Sequence, residues 1–275
     1  MPLTSPPPST GVLLVAHGTR DELGLQQTRS VAQQLSQRLP QATIDVCFLE
    51  LAEPTIAAGA RRLAERGVRR MTVAPLLLLA AGHAKRDIPR AVAEAARDFP
   101  ELSIRQAPHL GCHPRVLELS ARRFAESLKG QEAVADEQTL LLMVGRGSTD
   151  PEANAEMARF SRLRFEQQPL GRIEICFTAM ARPSLGEALA VVGTMEFARI
   201  VVQPHLLFAG ELATRVRHEA QQAALRWPAR EWLFAEPLGS HPLLVEALAE
   251  LAASDPPHTP GATHRLAPQL GPCDE

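Results

Sequence analysis

The chain lacks most of the features that would assign it to a function class at first sight. It has almost no net charge: 29 Lys and Arg against 31 Asp and Glu give −2, so no global basic field points to nucleic acid. Its four cysteines, Cys47, Cys112, Cys176 and Cys273, are scattered and form no CxxC pair. That removes the zinc-ribbon and dithiol redox patterns and suits reduced, intracellular thiols. Residues 1–10 are rich in Pro and Ser without an apolar h-region, so they do not read as a signal peptide. The longest apolar run, around residues 73–81, contains Pro75 and is far too short to span a bilayer. With 45% hydrophobic and 22% charged residues over 275 positions, the expectation is a soluble, cytoplasmic protein large enough for two domains. Neither a membrane nor a nucleic acid is expected as a partner.

What is present is a regular alternation. Apolar segments at 12–16, 44–49, 71–79 and 102–107 read as strands. Between them lie segments with apolar residues at helical spacing, such as Val31, Leu35 and Leu39. Pro40, Gly67 and Pro100 sit where helices should stop. Strands alternating with helices predict a mainly parallel four-stranded sheet flanked by helices, with a doubly wound strand order 2-1-3-4.

The pattern then repeats. Leu13-Leu14-Val15 lies 129 residues before Leu142-Met143-Val144. At the same offset, Ile44-Asp45-Val46-Cys47-Phe48 precedes Ile173-Glu174-Ile175-Cys176-Phe177, Pro54 precedes Pro183, and Pro75 precedes Pro204. Gly111-Cys112-His113-Pro114 matches Gly239-Ser240-His241-Pro242 at 128. The fold class expected is therefore α/β with two homologous lobes, residues 11–129 and 138–253, joined by a polar linker. Residues 1–10 are expected to be a disordered leader. Residues 254–275, with five prolines and no periodicity, are expected to be a disordered tail.

The repeat separates scaffold from chemistry. His113 and His241 occur in both halves and are expected to be structural. His17 is replaced by Arg146 in the second half, and His83, after Gly82, by Glu211 after Gly210. In the predicted strand order, strands one and three are neighbours, so His17 and His83 should emerge at one rim of the sheet. Two converging imidazoles can hold a divalent metal ion or accept protons near neutral pH. Glu50, whose counterpart is Ala179, is a third candidate as proton acceptor or ligand. Arg20, Lys85 and Arg86 flank the two histidines and could attract an anionic substrate.

Three motifs carry a family resemblance: Leu-Leu-Val-Ala-His-Gly-Thr-Arg at 13–20, Phe-Leu-Glu at 48–50 with Pro54 downstream, and Pro-Leu-Leu-Leu-Leu-Ala-Ala-Gly-His-Ala-Lys-Arg-Asp-Ile-Pro at 75–89. With them the chain resembles the CbiX/SirB-type sirohydrochlorin chelatases, class II tetrapyrrole chelatases, in their long two-lobed form. The resemblance implies a chelatase-like fold and a macrocycle cleft between the lobes. It also implies that His17 and His83 handle a divalent ion (Co2+, Fe2+ or Ni2+) on its way into sirohydrochlorin, in cobalamin or sirohaem synthesis. The metal is then a substrate. No tightly bound cofactor is expected and, without a Cys-rich cluster motif, no iron–sulfur centre. A monomer is favoured, because two lobes in one chain can replace a dimer of single lobes. Two other functions compete: a non-catalytic metal or tetrapyrrole carrier, and a histidine phosphatase, which Ala16 in place of an arginine before His17 disfavours.

Overall fold

The computed structural model describes residues 9–80 and 82–254. Each half of the chain forms a four-stranded, all-parallel sheet. In the first, β1 (Ser9–Ala16), β2 (Ala42–Phe48), β3 (Val68–Leu76) and β4 (Ser103–Gln106) lie in the order β2-β1-β3-β4. In the second, β5 (Thr139–Gly145), β6 (Arg172–Phe177), β7 (Arg199–Pro204) and β8 (Glu231–Phe234) repeat it as β6-β5-β7-β8. This is the doubly wound, two-lobed α/β architecture that the sequence predicts. The helices are α1 (Glu22–Arg38), α2 (Ile56–Glu65), α3 (Ile88–Asp98), α4 (Pro114–Ser127), α5 (Pro151–Gln167), α6 (Leu185–Val192), α7 (Glu211–Arg226) and α8 (Pro242–Ala253).

Local chemistry sets the helix starts. Asp21 and Asp150 cap α1 and α5 by accepting from the N–H groups of Leu23 and Glu152. The repeated histidines do the same. Nδ1 of His113 and of His241 accepts from the N–H groups of Arg115 and Leu243, and the proline in each first turn has no N–H in need of an acceptor. They are caps, which explains why both repeats keep them.

Side chains alternate across the strands. Val12, Leu14 and Ala16 of β1 meet Leu141 and Met143 of β5 in one core shared by both lobes. Leu13 and Val15 turn to an outer core against α2 and α3, and Leu140, Leu142 and Val144 to another under α6 and α7. The shared core is closed by an exchange. Helix α8, last of the second repeat, packs on β3, α1 and α4, while α4 of the first repeat packs on β7 and α5. Polar ties follow the same crossing. Arg105 of β4 donates to the carbonyls of Ala252 and Ser254, and Arg123 to Leu238 O. Buried Ser120 of α4 receives Nε of Arg164 at 3.1 Å, and its carbonyl receives Nε2 of Gln203 at 2.8 Å. Burial pushes the Arg164 guanidinium down to about 10. It therefore remains a cation at neutral pH.

The third strand departs from expectation. It stops at Leu76, where its partner β1 ends at Ala16, so the apolar run 77–79 has no strand to pair with and leaves the sheet. The following turn, His83–Asp87, is π-helical and leads straight into α3. His83 therefore opens a helical turn instead of closing a strand. Helix α5 of the second lobe holds this segment on both sides of His83. Glu156 accepts the Ala80 N–H at 2.9 Å, and Asp150 pairs with Lys85 at 2.8 Å. Glu156 also meets Nε2 of His109 at 2.7 Å. Burial alone would raise the Glu156 carboxyl, but the bonds from His109 and Ala80 outweigh it and hold it below its usual value.

Strand β1 takes in Ser9 and Thr10, so only residues 1–8 of the expected leader, with 255–275 of the expected tail, lie outside the described residues. Among the described residues no helix is long and apolar enough to cross a membrane.

Two stability tests follow. Glu156→Ala leaves the Ala80 N–H and His109 without their acceptor and should cost ~1–3 kcal/mol in a denaturant titration at pH 7; an unchanged midpoint would show that the tie is worth nothing. His205 is fully buried against Phe160, with no protein partner on either ring nitrogen among the described residues. Burial pushes its imidazole down to about 4, partly offset by the Glu156 carboxylate. The unfolded chain takes up this proton near pH ~6.5 and the folded chain does not, so stability falls as pH drops from about 6.5 towards 4, by ~3 kcal/mol in all. His205→Leu should flatten the stability profile between pH ~6.5 and ~4.5; an unaltered slope removes His205 from the acid response.

Candidate functional site

Both sheets aim the carboxyl ends of their strands at one open cleft of about 1490 Å³, above the ~300–1000 Å³ usual for small-ligand pockets. One wall carries Ala16-His17-Gly18-Thr19-Arg20 after β1, and the facing wall carries Arg146-Gly147-Ser148-Thr149 after β5. Leu77, Leu78 and Leu79, expelled from the sheet by the end of β1, line the first side; Leu206, Leu207 and Phe208 line the second. The space is mainly apolar, with Arg20, Lys85, Arg86 and Arg146 and the acidic Asp21, Asp87, Asp150 and Glu211 around it, which suits a large ligand with an apolar body and polar edges.

His17 sits where β1 gives way to a tight turn. Gly18 has φ +95°, and a Cβ there would lie 1.8 Å from the Glu50 carbonyl oxygen, so only glycine lets the end of β2 come this close. The Glu50 N–H donates to the His17 carbonyl at 3.0 Å. These two contacts set the side chains together: Nε2 of His17 lies 3.3 Å from Oε1 of Glu50. On its other flank Nε2 meets Nη1 of Arg146 at 3.2 Å, across the cleft from the opposite lobe. A guanidinium only donates, so in this arrangement Nε2 is the acceptor and the ring proton is on Nδ1, facing the Gly18 carbonyl at 3.4 Å. An imidazole and a carboxylate this close can ligate a borderline divalent ion together or pass a proton between them.

The side chain of His83 lies outside the described residues. Its backbone does not: Gly82 and Lys85, on either side of it, line the cleft. Among the described residues no group of three or more His, Cys, Asp or Glu side chains is arranged to hold a metal ion. Arg20 and Arg86 border the cleft and are exposed. Lys85 is engaged with Asp150, so it faces the opposite lobe with its charge already compensated.

Three contributions escaped the sequence reading. Arg146 was visible there as the repeat partner of His17 but not as its neighbour in space. Glu156 carries no motif. Leu51 and Met180 occupy equivalent positions, and both are large, exposed and left-handed, with φ 62° and 58°. That conformation is costly for a side chain with a Cβ, and both line the cleft. Apolar residues at matching sites 129 apart, just after each strand-two segment, were the available signal.

The sirohydrochlorin ferrochelatase of Priestia megaterium is 31% identical over 238 residues, covering 86% of this chain and 87% of its own. The sirohydrochlorin cobaltochelatase of the same organism is 30% identical over 241 residues, covering 88% and 78%. The structure of SirB from Bacillus subtilis with Fe3+ superposes with a TM-score of 0.80 at 26% identity, over 88% of this chain and 94% of that one. The family model CbiX matches residues 11–127 and again residues 140–255, one match to each repeat, and so the chain belongs to the CbiX family.

Proposed function

We propose that this protein is a sirohydrochlorin chelatase, which inserts a divalent metal ion into the tetrapyrrole held in the cleft. The observation that carries the reading is His17 on the wall of a large, mainly apolar cleft, its Nε2 3.3 Å from Glu50 Oε1, with the His83 turn on the same border. The names of the two relatives, one an iron and one a cobalt enzyme, support this reaction class.

Insertion has three requirements: a metal stripped of part of its water, a ring held against it, and two pyrrole protons removed. In our reading His17 and His83 hold the ion, and imidazole, a borderline ligand, suits Fe2+, Co2+ and Ni2+ alike. Glu50 accepts a pyrrole proton and can pass it to solvent, since about half of its side chain is exposed. Leucines 77–79, with Leu51 and Met180, face the apolar ring. Arg20 and Arg86 meet its carboxylates, with Lys85 a lesser contributor while Asp150 holds it. The metal is a substrate here and no resident cofactor is invoked. Both walls come from one chain, so a monomer suffices.

The test is to supply metal-free sirohydrochlorin with Co2+, Fe2+ or Ni2+ and follow its absorbance. Many turnovers per chain are expected for at least one ion; a yield that stops at one equivalent would identify a carrier. His17→Ala and His83→Ala should each abolish insertion with the fold intact by circular dichroism. Glu50→Gln should lower kcat by about 10²–10⁴ while metal binding persists. Wild-type rates in His83→Ala would remove that residue from the mechanism. Steering by Arg20 and Arg86 should raise the KM for sirohydrochlorin as NaCl goes from about 50 to about 500 mM; a flat KM would show that the arginines do not recruit substrate.

A further inference from the structure

The two repeats place different residues at one geometrically equivalent spot. His17 and Arg146 each follow the last residue of a first strand, and each precedes a glycine of positive φ whose Cβ would strike the carbonyl of the residue after the second strand turn. The lobes face each other so that these equivalents meet, Nη1 of Arg146 lying 3.2 Å from Nε2 of His17. The backbone of Arg146 is fixed: its carbonyl accepts from Ala179 N at 2.9 Å and Thr178 Oγ1 at 3.1 Å. Only its side chain is free to relocate.

An imidazole nitrogen has one lone pair. With Arg146 donating to Nε2, that lone pair is committed, and it is the same one a metal ion would need. The guanidinium and the ion therefore exclude each other on this atom. A dication taking the place leaves a cation beside it, and the repulsion is relieved only if Arg146 swings to an anion. The cleft ligand of the proposed function carries carboxylates, which a guanidinium grips as a two-pronged fork.

We propose that Arg146 is a carboxylate-binding residue for the tetrapyrrole and that, without a tetrapyrrole, it occupies the metal-binding nitrogen of His17. The inference rests on the chelatase reading. Substrate carboxylate draws Arg146 away and frees Nε2, so macrocycle and metal favour each other's binding, and the coupling is reciprocal. The second lobe thus contributes a charged group that guards the metal site of the first, and a bare protein holds metal weakly until there is a ring to receive it.

The experiment has two arms, neither needing turnover. Co2+ alone is titrated into tetrapyrrole-free protein, and metal-free sirohydrochlorin alone is titrated in the presence of EDTA. Arg146→Ala should tighten Co2+ about three- to tenfold and weaken sirohydrochlorin about tenfold. Arg146→Lys, which keeps the charge without the fork, should leave Co2+ affinity within about twofold of wild type. Should Arg146→Ala fail to fold, Arg146→Gln gives the same comparison, with the same direction expected in both arms. Co2+ affinity that is unchanged or weaker in the neutral variants overturns the guarding role, and unchanged sirohydrochlorin affinity overturns the carboxylate role. His17→Ala keeps this separate from the function reading. If it abolishes Co2+ binding while Arg146→Ala leaves it untouched, only the present inference falls; if it leaves Co2+ binding intact, the metal site itself is misassigned.

Discussion

The inner face of each sheet is covered jointly by its own first helix and by the final helix of the other repeat, and the rest of the architecture depends on that exchange. Helix α8 closes the first sheet and α4 the second. Val12, Leu14, Leu141, Met143, Phe124 and Leu244 consequently belong to one buried cluster and not to two. Neither sheet can keep its inner face dry alone, so the two strand-end rims are held at a fixed separation by packing rather than by a linker. A reaction that needs a rigid ring pressed against an ion gains from such a frame, because positioning counts only when the walls do not yield. The buried Ser120, Arg164 and Gln203 set adds direction to the apolar contact. Its hydrogen bonds from Arg164 and Gln203 to Ser120 cross the interface and form only when the lobes are docked.

The same crossing explains how a lobe without the histidines shapes the one that has them. Helix α5 grips the His83 segment through Ala80 and Lys85, three residues before and two after the imidazole-bearing position. Gly111 permits this, since a Cβ there would come within 2.7 Å of Glu156 Oε1. The π-helical turn runs into α3 of its own lobe and is tied through Lys85 to Asp150 of the other. Its geometry is therefore a property of both repeats together.

Much of this was legible from residues alone. The strand order followed from alternation and the repeat, because period-two and near-continuous apolar strands between helices leave few topologies open. His17 and Glu50 were legible because their repeat partners, Arg146 and Ala179, lack their chemistry. Other features were not. An apolar run such as 71–79 does not say where pairing stops; that is decided by the length of β1 and by Gly18 turning the chain away. The helix exchange is silent in sequence, because an amphipathic stripe on α4 or α8 specifies that a face is buried but not which sheet buries it. The Glu156 tie joins residues 47 to 76 apart in sequence with no shared pattern, and only the docked lobes reveal it.

Where the repeats agree and where they differ follows a physical division. The caps at His113 and His241 and the glycines at 18 and 147 are retained, and each meets a backbone requirement of its own repeat; the left-handed conformation of Leu51 and Met180 is shared despite its cost. The differences gather where side chains leave the backbone and enter the cleft. Two copies of the first lobe would face each other with duplicate imidazole and carboxylate sets. That would present two imidazole–carboxylate pairs to a ring with room for one ion. Replacing one histidine by arginine, and its neighbouring glutamate by alanine, removes the second site and puts a cation in its place. In the function proposed above, a ligand set on one wall and a guanidinium on the other assign the ion and the anionic ring to different lobes.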